Sequence, residues 1–495
     1  MEIGGGLTGS KRYDAGVESV MHIARGSAQM NGTKNGSFSE QVRRFRARFV
    51  QSAGSSLGKV ITGHMLRVGV GEESGNWRER LYGPLTTVVL FIEQVLGADH
   101  SCQGVVAQGL SARVARGQAP CSLNTGPYCK ARQRLAVGLV ERLAREIGTR
   151  LLAAQPVAWL WRGRNVKLLD GTTVSMPDTP SNQTEFPQPR GQKLGLGFPI
   201  ARLVGIVSLS CGAVLEWAVG PCEGKKTGET AMLWGLMDKL CRGDVVIADR
   251  YFAGYFGIAR LWQLGVDVLI RQHQRRQTDF RRGRRLGKRD HVVIWARPQR
   301  PSWMDQATYA TMPETIVMRE VRVANLILVT TLLDAEEISK LELVGLYGQR
   351  WQIELDFRSI KTVMQMEILR CKSPEMIQKE IAAHLLAYNL VRTVMAQAAC
   401  FANVFPRQLS FKATLQVLNA FEENLRFCPH ARLTTRHGIV LASIAQAILP
   451  VRPNRVEPRA VKRRPKPQKL LTEPRRVLQK RLRRQQERHA ASALR

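Results

Sequence analysis

Three acidic residues stand where the chain cannot spend a carboxylate on its core. Asp170 closes the apolar run V-K-L-L-D and is followed by Gly-Thr-Thr, and Asp249 closes V-V-I-A-D. Glu354 lies within Y-G-Q-R-W-Q-I-E-L-D-F-R-S-I-K (347–361). An unpaired charge inside an apolar core is too costly to keep, so acids at the ends of apolar strands point outward. Converging carboxylates repel one another and need divalent cations to sit together, and hard oxygen ligands with open positions suit two Mg2+ or Mn2+ ions. Two such ions about 3.5–4 Å apart would activate an attacking oxygen and stabilise a leaving oxygen in phosphodiester transfer. Taken singly, each aspartate reads better as a turn or helix-cap residue. The three together, in so basic a chain, favour the chemistry.

The residues around Glu354 read as one α-helix, since no Pro or Gly interrupts them after Gly348. At about 100° per residue, Tyr347, Arg350, Glu354 and Lys361 share one narrow stripe, and Leu346, Ile353, Phe357, Ile360 and Met364 form the adjacent core-facing arc. A carboxylate is thus held at the edge of a buried face beside two cations and a phenol. Arg350–Glu354 and Glu354–Arg358 are also i,i+4 pairs, so a solvated salt-bridge ladder is the plain alternative. Arg350 offers a fork and Lys361 a point charge to a phosphate, and Tyr347 a hydroxyl.

Strand and helix patterns supply what must position these groups. V-K-L-L-D-G-T-T-V-S-M (166–176) reads as a strand, a turn at Asp170-Gly171 and a return; 201–210 and 213–220 read as a hairpin around Cys211-Gly212. A helix over about 229–240, the strand 244–252, a helix to about Leu264 and the strand 266–271 follow. Three antiparallel strands, a helix, a strand, a helix and a strand give an α/β fold of ribonuclease H-like order. The pattern then breaks into a β-rich insertion, 272–335, before the core resumes at 336–400 with the Tyr347–Lys361 helix. Ahead of the core, 41–160 reads as a helical DNA-binding domain with a basic face or a plain bundle, and 401–450 is a further helical region. Residues 1–40 read as disordered or as an extension. Residues 451–495, with sixteen Lys/Arg against three Glu and repeated Pro, read as a disordered basic tail that orders at most on a polyanion.

Composition narrows the partner. Seventy-four Lys+Arg against 40 Asp+Glu leave a net charge of +34 in 495 residues, an excess that calls for a polyanion, and double-stranded DNA is the first candidate. Residues 271–289 carry nine Lys/Arg against Asp279 alone, so Arg281, Arg282, Arg284 and Arg285 are candidate phosphate contacts, as is Arg250 beside Asp249. His273 and His291 flank that loop without metal spacing. The nine cysteines include no C-x-x-C pair, which speaks against a disulfide framework or zinc ribbon. With no signal-peptide pattern and no apolar run of membrane length, the expected location is cytoplasmic and nucleoid-associated.

These residues also carry a resemblance. Tyr347, Arg350, Glu354 and Lys361 match Y-x2-R-x3-E-x6-K, the signature of the DDE transposases of bacterial insertion sequences, family four. L-L-D-G-T-T at Asp170 and A-D-R-Y-F at Asp249 look like that family's first two acidic blocks, and S-L-N-T-G-P-Y-C-K-A-R (122–132) and T-G-E-T-A (227–231) also resemble its members. The likeness spans about 80–460; the first 75 or so residues match no part of the pattern. It implies a ribonuclease H-like catalytic core with a β-strand insertion before the glutamate, and cut-and-paste movement by a homodimer on paired transposon ends. It further implies that Asp170, Asp249 and Glu354 are the metal ligands, while Tyr347, Arg350 and Lys361 contact phosphates of the inverted repeats. Some members stack a flipped base on an aromatic residue of the insertion; Trp295 and Trp303 are the candidates, with strand-face core packing the better reading of each. A ribonuclease H-like nuclease or resolvase that cuts without joining is one rival. A non-catalytic DNA-binding derivative is the other.

Overall fold

A computed structural model describes residues 81–450 and 471–493, apart from 116, 225, 226 and 427. The basic amphipathic stretch near 42–50, residues 1–40 and the segment 451–470 lie outside the described residues. One nine-stranded mixed sheet organises the molecule, in the order β3-β2-β1-β4-β5-β9-β8-β7-β6. β1 (Val166–Ser175), β2 (Ile200–Ser208) and β3 (Val214–Pro221) form an antiparallel meander. Its β2–β3 turn needs Gly212, whose φ of +76° is in the left-handed region. β4 (Val245–Ala248) pairs in parallel with β1, and β5 (Asp267–Arg271) in parallel with β4. All four residues of β4 are buried, the pattern of a central strand covered on both faces.

The strands of 272–335 prolong this same sheet. β6 (Arg284–Gly287), β7 (Asp290–Ala296), β8 (Thr315–Val323) and β9 (Leu326–Thr330) are antiparallel, and β9 pairs with β5 through Leu269↔Thr330 and Arg271↔Leu328. Arg319 on β8 is fully buried, and its fork grips Asp290 of β7 at 2.9 and 2.7 Å while Nη1 donates to the Ile338 carbonyl at 2.7 Å. That bond ties the sheet extension to the chain entering the Glu354 helix.

Helices cover both faces. α1 (Pro84–Leu96), α2 (Cys102–Val114), α3 (Gly126–Arg134) and α4 (Val137–Ala154) come before the sheet. The run 128–154 is therefore two helices, broken where Leu135 and Ala136 turn extended. α5 (Pro180–Glu185) follows β1, α6 (Glu229–Trp234) follows β3, α7 (Tyr255–Gln263) follows β4, and the short α8 (Gln306–Thr311) joins β7 to β8. α9 (Lys340–Gly348) and α10 (Gln352–Arg358) lead to α11 (Pro374–Ala402), α12 (Phe411–Arg426) and α13 (His430–Ala445).

Leu168 and Leu203 join one core with α1, α4, α10 and α11, whereas Leu169 and Val204 join a second core with α6 and α7. Each Leu or Ile fully buried there contributes about 1.5–3 kcal/mol relative to exposure. α11 is long and apolar enough to cross a membrane, but 89% of its most apolar window is buried inside the fold, against α1, α4, α12 and α13. It is the pillar of the first core.

Three expectations need correcting. There is no turn at Asp170-Gly171: β1 runs on through both, pairing Asp170↔Gly205 and Gly171↔Val204, because β2 offers a full-length antiparallel partner. The Tyr347–Lys361 segment is not one α-helix. α9 ends at Gly348, a single 3-10 turn spans Gln349–Trp351, α10 follows, and Ser359–Val363 is a π turn. Gly348 is a weak helix former, and Ser359 Oγ donates to the Leu355 carbonyl at 2.9 Å, competing for the regular ladder just where it widens. Finally, the basic tail contains a helix, α14 (Arg475–Ala493). Pro474 is its last proline, and the Arg-, Leu-, Gln- and Ala-rich stretch beyond is made of good helix formers.

Candidate active site

Asp170 and Asp249 are brought together by the parallel pair β1 and β4. Their last shared register position is Leu168↔Ile247, and each aspartate stands two residues beyond it. Strands at the centre of a sheet diverge past their carboxyl ends, leaving a crevice bordered by backbone and by whatever side chains stand there. Asp170 is half-buried and its Oδ1 accepts from the Gly171 amide at 2.8 Å. Asp249 caps the 3-10 turn Arg250–Phe252, its Oδ1 accepting from the Tyr251 amide at 2.8 Å.

Glu354 reaches this crevice from α10, which lies over β1. Arg350 connects the two acids: Nη2 donates to Glu354 Oε1 at 2.7 Å and Nη1 stands 3.6 Å from Asp170 Oδ2. The three carboxylates therefore do not meet bare. Among the described residues no three carboxylate, imidazole or thiol groups stand at metal-binding spacing, and a guanidinium bridges two of the acids instead.

The electrostatics are those of a site short of positive charge. Burial, with Asp249 and Glu229 as like charges, pushes the Asp170 carboxyl up to about 6 against the pull of the Gly171 amide and Arg350. Burial and Asp249 push the Tyr347 phenol up to about 12, so it stays a hydroxyl donor. Burial works against the Arg350 charge, but Tyr347, Glu354 and Asp170 outweigh it and raise that group. The donor set, oxygen only and crowded with carboxylates, fits a hard divalent cation once Arg350 turns to another anion.

Comparison with known proteins decides the family. Residues 161–390 match the family described as "Transposase DDE domain". Over 350 residues the chain is 30% identical to "Transposase InsG for insertion sequence element IS4" of Escherichia coli strain K12, covering 68% of this chain and 76% of that protein. A stretch of 75 residues is 35% identical to the "Transposase for insertion sequence element IS421" of Escherichia coli, 15% of this chain and 20% of that one. This chain belongs to the DDE transposases of insertion-sequence family four. DNA is accordingly its partner, and cutting and joining DNA strands is what such a transposase does.

The other candidate positions of the transposase lie on several elements. Tyr347 is 7% exposed, turned into the core from α9, and Lys361 is half-buried in the π turn. Arg250 is half-buried beside Asp249. Arg281 and Arg282 are exposed and both pair with Asp279, and Arg284 and Arg285 are exposed on the edge strand β6. Trp295 is buried on β7, its indole donating to Glu320 at 2.8 Å with Arg276 stacked over the ring. His291 is buried against the same Glu320, at 3.3 Å. Trp303 departs from strand-face packing: it lies outside any strand, is 54% exposed, and meets Trp234 edge-on at 5.5 Å.

Two features of the site were not singled out in the sequence. Asp356, two residues past Glu354 on the opposite side of α10, is fully buried among Tyr388, Arg392 and Arg407. Arg407 also donates to the carbonyls of Ser208 and Leu209 at the end of β2. Glu229, at the start of α6, stands over Gly171. In the sequence its stretch, T-G-E-T-A, stands only as one that resembles the family's members, with no role for the acid.

Proposed function

We propose that this transposase moves its own insertion sequence by cut-and-paste, through a ribonuclease H-like core in which Asp170, Asp249 and Glu354 hold two Mg2+ or Mn2+ ions. The strand order β3-β2-β1-β4-β5, with β1, β4 and β5 parallel, supports the core assignment. One observation carries the site: both aspartates stand two residues past the last β1–β4 pair, and Arg350 links Glu354 to Asp170.

The ions, when bound, supply Lewis acidity that activates the attacking oxygen and offsets charge on the leaving one. Everything else falls to the chain. Asp170, Asp249 and Glu354 provide the ligand oxygens. Arg350, released from the acids, forks a phosphate of the transposon end, with the Lys361 ammonium and the Tyr347 hydroxyl beside it. Water adds across a phosphodiester bond to leave a 3′-hydroxyl and a 5′-phosphate. That hydroxyl then displaces a bridging oxygen in target DNA. Arg250, Arg281, Arg282, Arg284 and Arg285 extend the cationic path for the inverted repeat, and a homodimer would pair two ends. Residues 41–160 serve as the end-reading region, and the work takes place on cytoplasmic, nucleoid DNA.

Incubating the full-length protein with DNA carrying the element's ends and Mg2+ should release cut ends, and a target plasmid should acquire joined products. Glu354→Gln should still bind the ends but cut none. Unaltered cleavage by that variant would sink the assignment, and cutting without joined products would favour a nuclease that does not join.

A further inference from the structure

Away from the crevice, in the helices ahead of the sheet, two thiols face each other. Cys129 Sγ, on α3, stands 3.7 Å from the Sγ of Cys102, the first residue of α2. Both are free and half-buried, so a small reagent can reach them. Bonded sulfurs lie about 2.05 Å apart, and movement of two side chains on neighbouring helices is enough to close the gap.

The donors around the pair are aimed at sulfur. Arg132 Nη2 lies 3.2 Å from Cys102 Sγ and 3.9 Å from Cys129 Sγ, and Gln94 Nε2 donates to Cys102 Sγ at 3.6 Å. Arg132 is only 8% exposed, stacked against the Phe91 and Tyr128 rings, and its Nε is buried with no hydrogen-bond partner. A guanidinium held out of water and short of acceptors stabilises a thiolate within its reach. Cys102 is the better placed of the two, being nearer Arg132 and at the amino end of α2, which favours negative charge. Burial pushes its thiol up, Arg132 pulls it down, and Cys129 and Gln94 add smaller effects in each direction.

Cys371 is a third sulfur close enough to sense Cys102 and Arg132, but of a different kind. Burial and the Glu380 charge hold its thiol well above the ordinary range, so it stays protonated.

We propose that Cys102 and Cys129 form a modification site for hydroperoxides, closing to a disulfide with Cys102 as the attacking thiol and Cys129 as the resolving one. The Cys102 sulfur attacks one oxygen of hydrogen peroxide, so an S–O bond forms and the O–O bond breaks. The departing oxygen takes up the thiol proton and leaves as water. The Cys129 sulfur then attacks the sulfenic sulfur of Cys102, forming the S–S bond and expelling hydroxide, which leaves as water with the Cys129 proton. Both thiols are oxidised by one electron each, and the peroxide is reduced to two waters. The new bond staples the start of α2 to the stretch S-L-N-T-G-P-Y-C-K-A-R on α3, and the site is independent of the acids of the crevice.

Peptide mass analysis of the full-length protein, reduced and then treated with hydrogen peroxide, tests it. A linked peptide carrying Cys102 and Cys129 should appear, lighter by a pair of hydrogens than its halves together. Both thiols should be lost together, before that of the exposed Cys241. Cys371→Ser should leave the linkage unchanged. Cys129→Ser should abolish it and leave a sulfenic acid on Cys102 that dimedone captures, whereas Cys102→Ser should abolish it and leave Cys129 unmodified. A link to Cys371 instead, or oxidation of Cys241 while Cys102 and Cys129 stay free in the parent protein, would overturn the pair. Dimedone capture at Cys129 in the Cys102→Ser protein, with none at Cys102 in the Cys129→Ser protein, would overturn the assigned roles.

Discussion

Arg350 pairs with two of the three acids proposed as ligands. Without cation or DNA its guanidinium offsets Asp170 and Glu354. If those acids hold a cation, as proposed, the guanidinium would compete with it for the same oxygens, and a phosphate would compete with those oxygens for the guanidinium. Metal and DNA should then favour each other's binding, since each frees a partner for the other. Arg350→Ala should bind Mn2+ at least as tightly as the parent when DNA is absent. It should lose about 10- to 100-fold in affinity for end DNA, the worth of one charge-assisted hydrogen bond. Calorimetric titrations of both ligands would check this, and weaker Mn2+ binding by the variant would count against the competition. At this scale the three acids could be picked out as candidates, because each interrupts or ends an apolar run. The guanidinium bridge was not, since helical spacing places Arg350 near Glu354 but says nothing of Asp170.

The helix that carries Glu354 is held by its other side. Asp356 accepts from Tyr388 at 2.9 Å and from Arg407 at 2.8 and 2.9 Å, and also pairs with Arg392. The buried Arg392 and the half-buried Arg407 thus share one carboxylate, which ties α10 to α11 and, through Arg407, to the end of β2. Because Asp356 is pinned inward, Glu354, two residues earlier, is turned outward to the crevice. Asp356→Asn keeps the shape but removes the counter-charge, so it should destabilise the protein by about 3–5 kcal/mol, read as a lower urea midpoint. A change below about 1 kcal/mol would show that the cluster adds little. Helix existence was readable from periodicity here. The 3-10 and π segments were not, because periodicity does not register the local competition at Gly348 and Ser359 that breaks the regular ladder.

For the molecule as a whole, the charge of +34 sets the terms of binding. α14 carries seven Lys/Arg against Glu487 alone and lies largely exposed, a form suited to phosphates rather than to a core. Removing Arg475–Ala493 should flatten the dependence of end affinity on salt, by about 0.9 in log–log slope for each phosphate the helix neutralises, while Mn2+ binding stays put. An unchanged slope in a gel-shift series at rising salt would exclude the helix from the DNA interface. The composition announced a polyanion partner, but not which segment meets it, and proline repeats hid the helix that begins after Pro474.

By itself the sequence determined the order of strands and helices, the acids that could grip a cation and the family signature. All of these depend on residue type and short-range period, which each segment carries alone. Tertiary structure decided that Asp170 lies inside a continuous strand, that β6–β9 lengthen the same sheet, and that Arg350 spans two acids. It also placed Glu229 over Gly171. Such outcomes depend on which distant surfaces bury one another and in what register, and hydrophobic pattern leaves that choice open until the whole chain has packed.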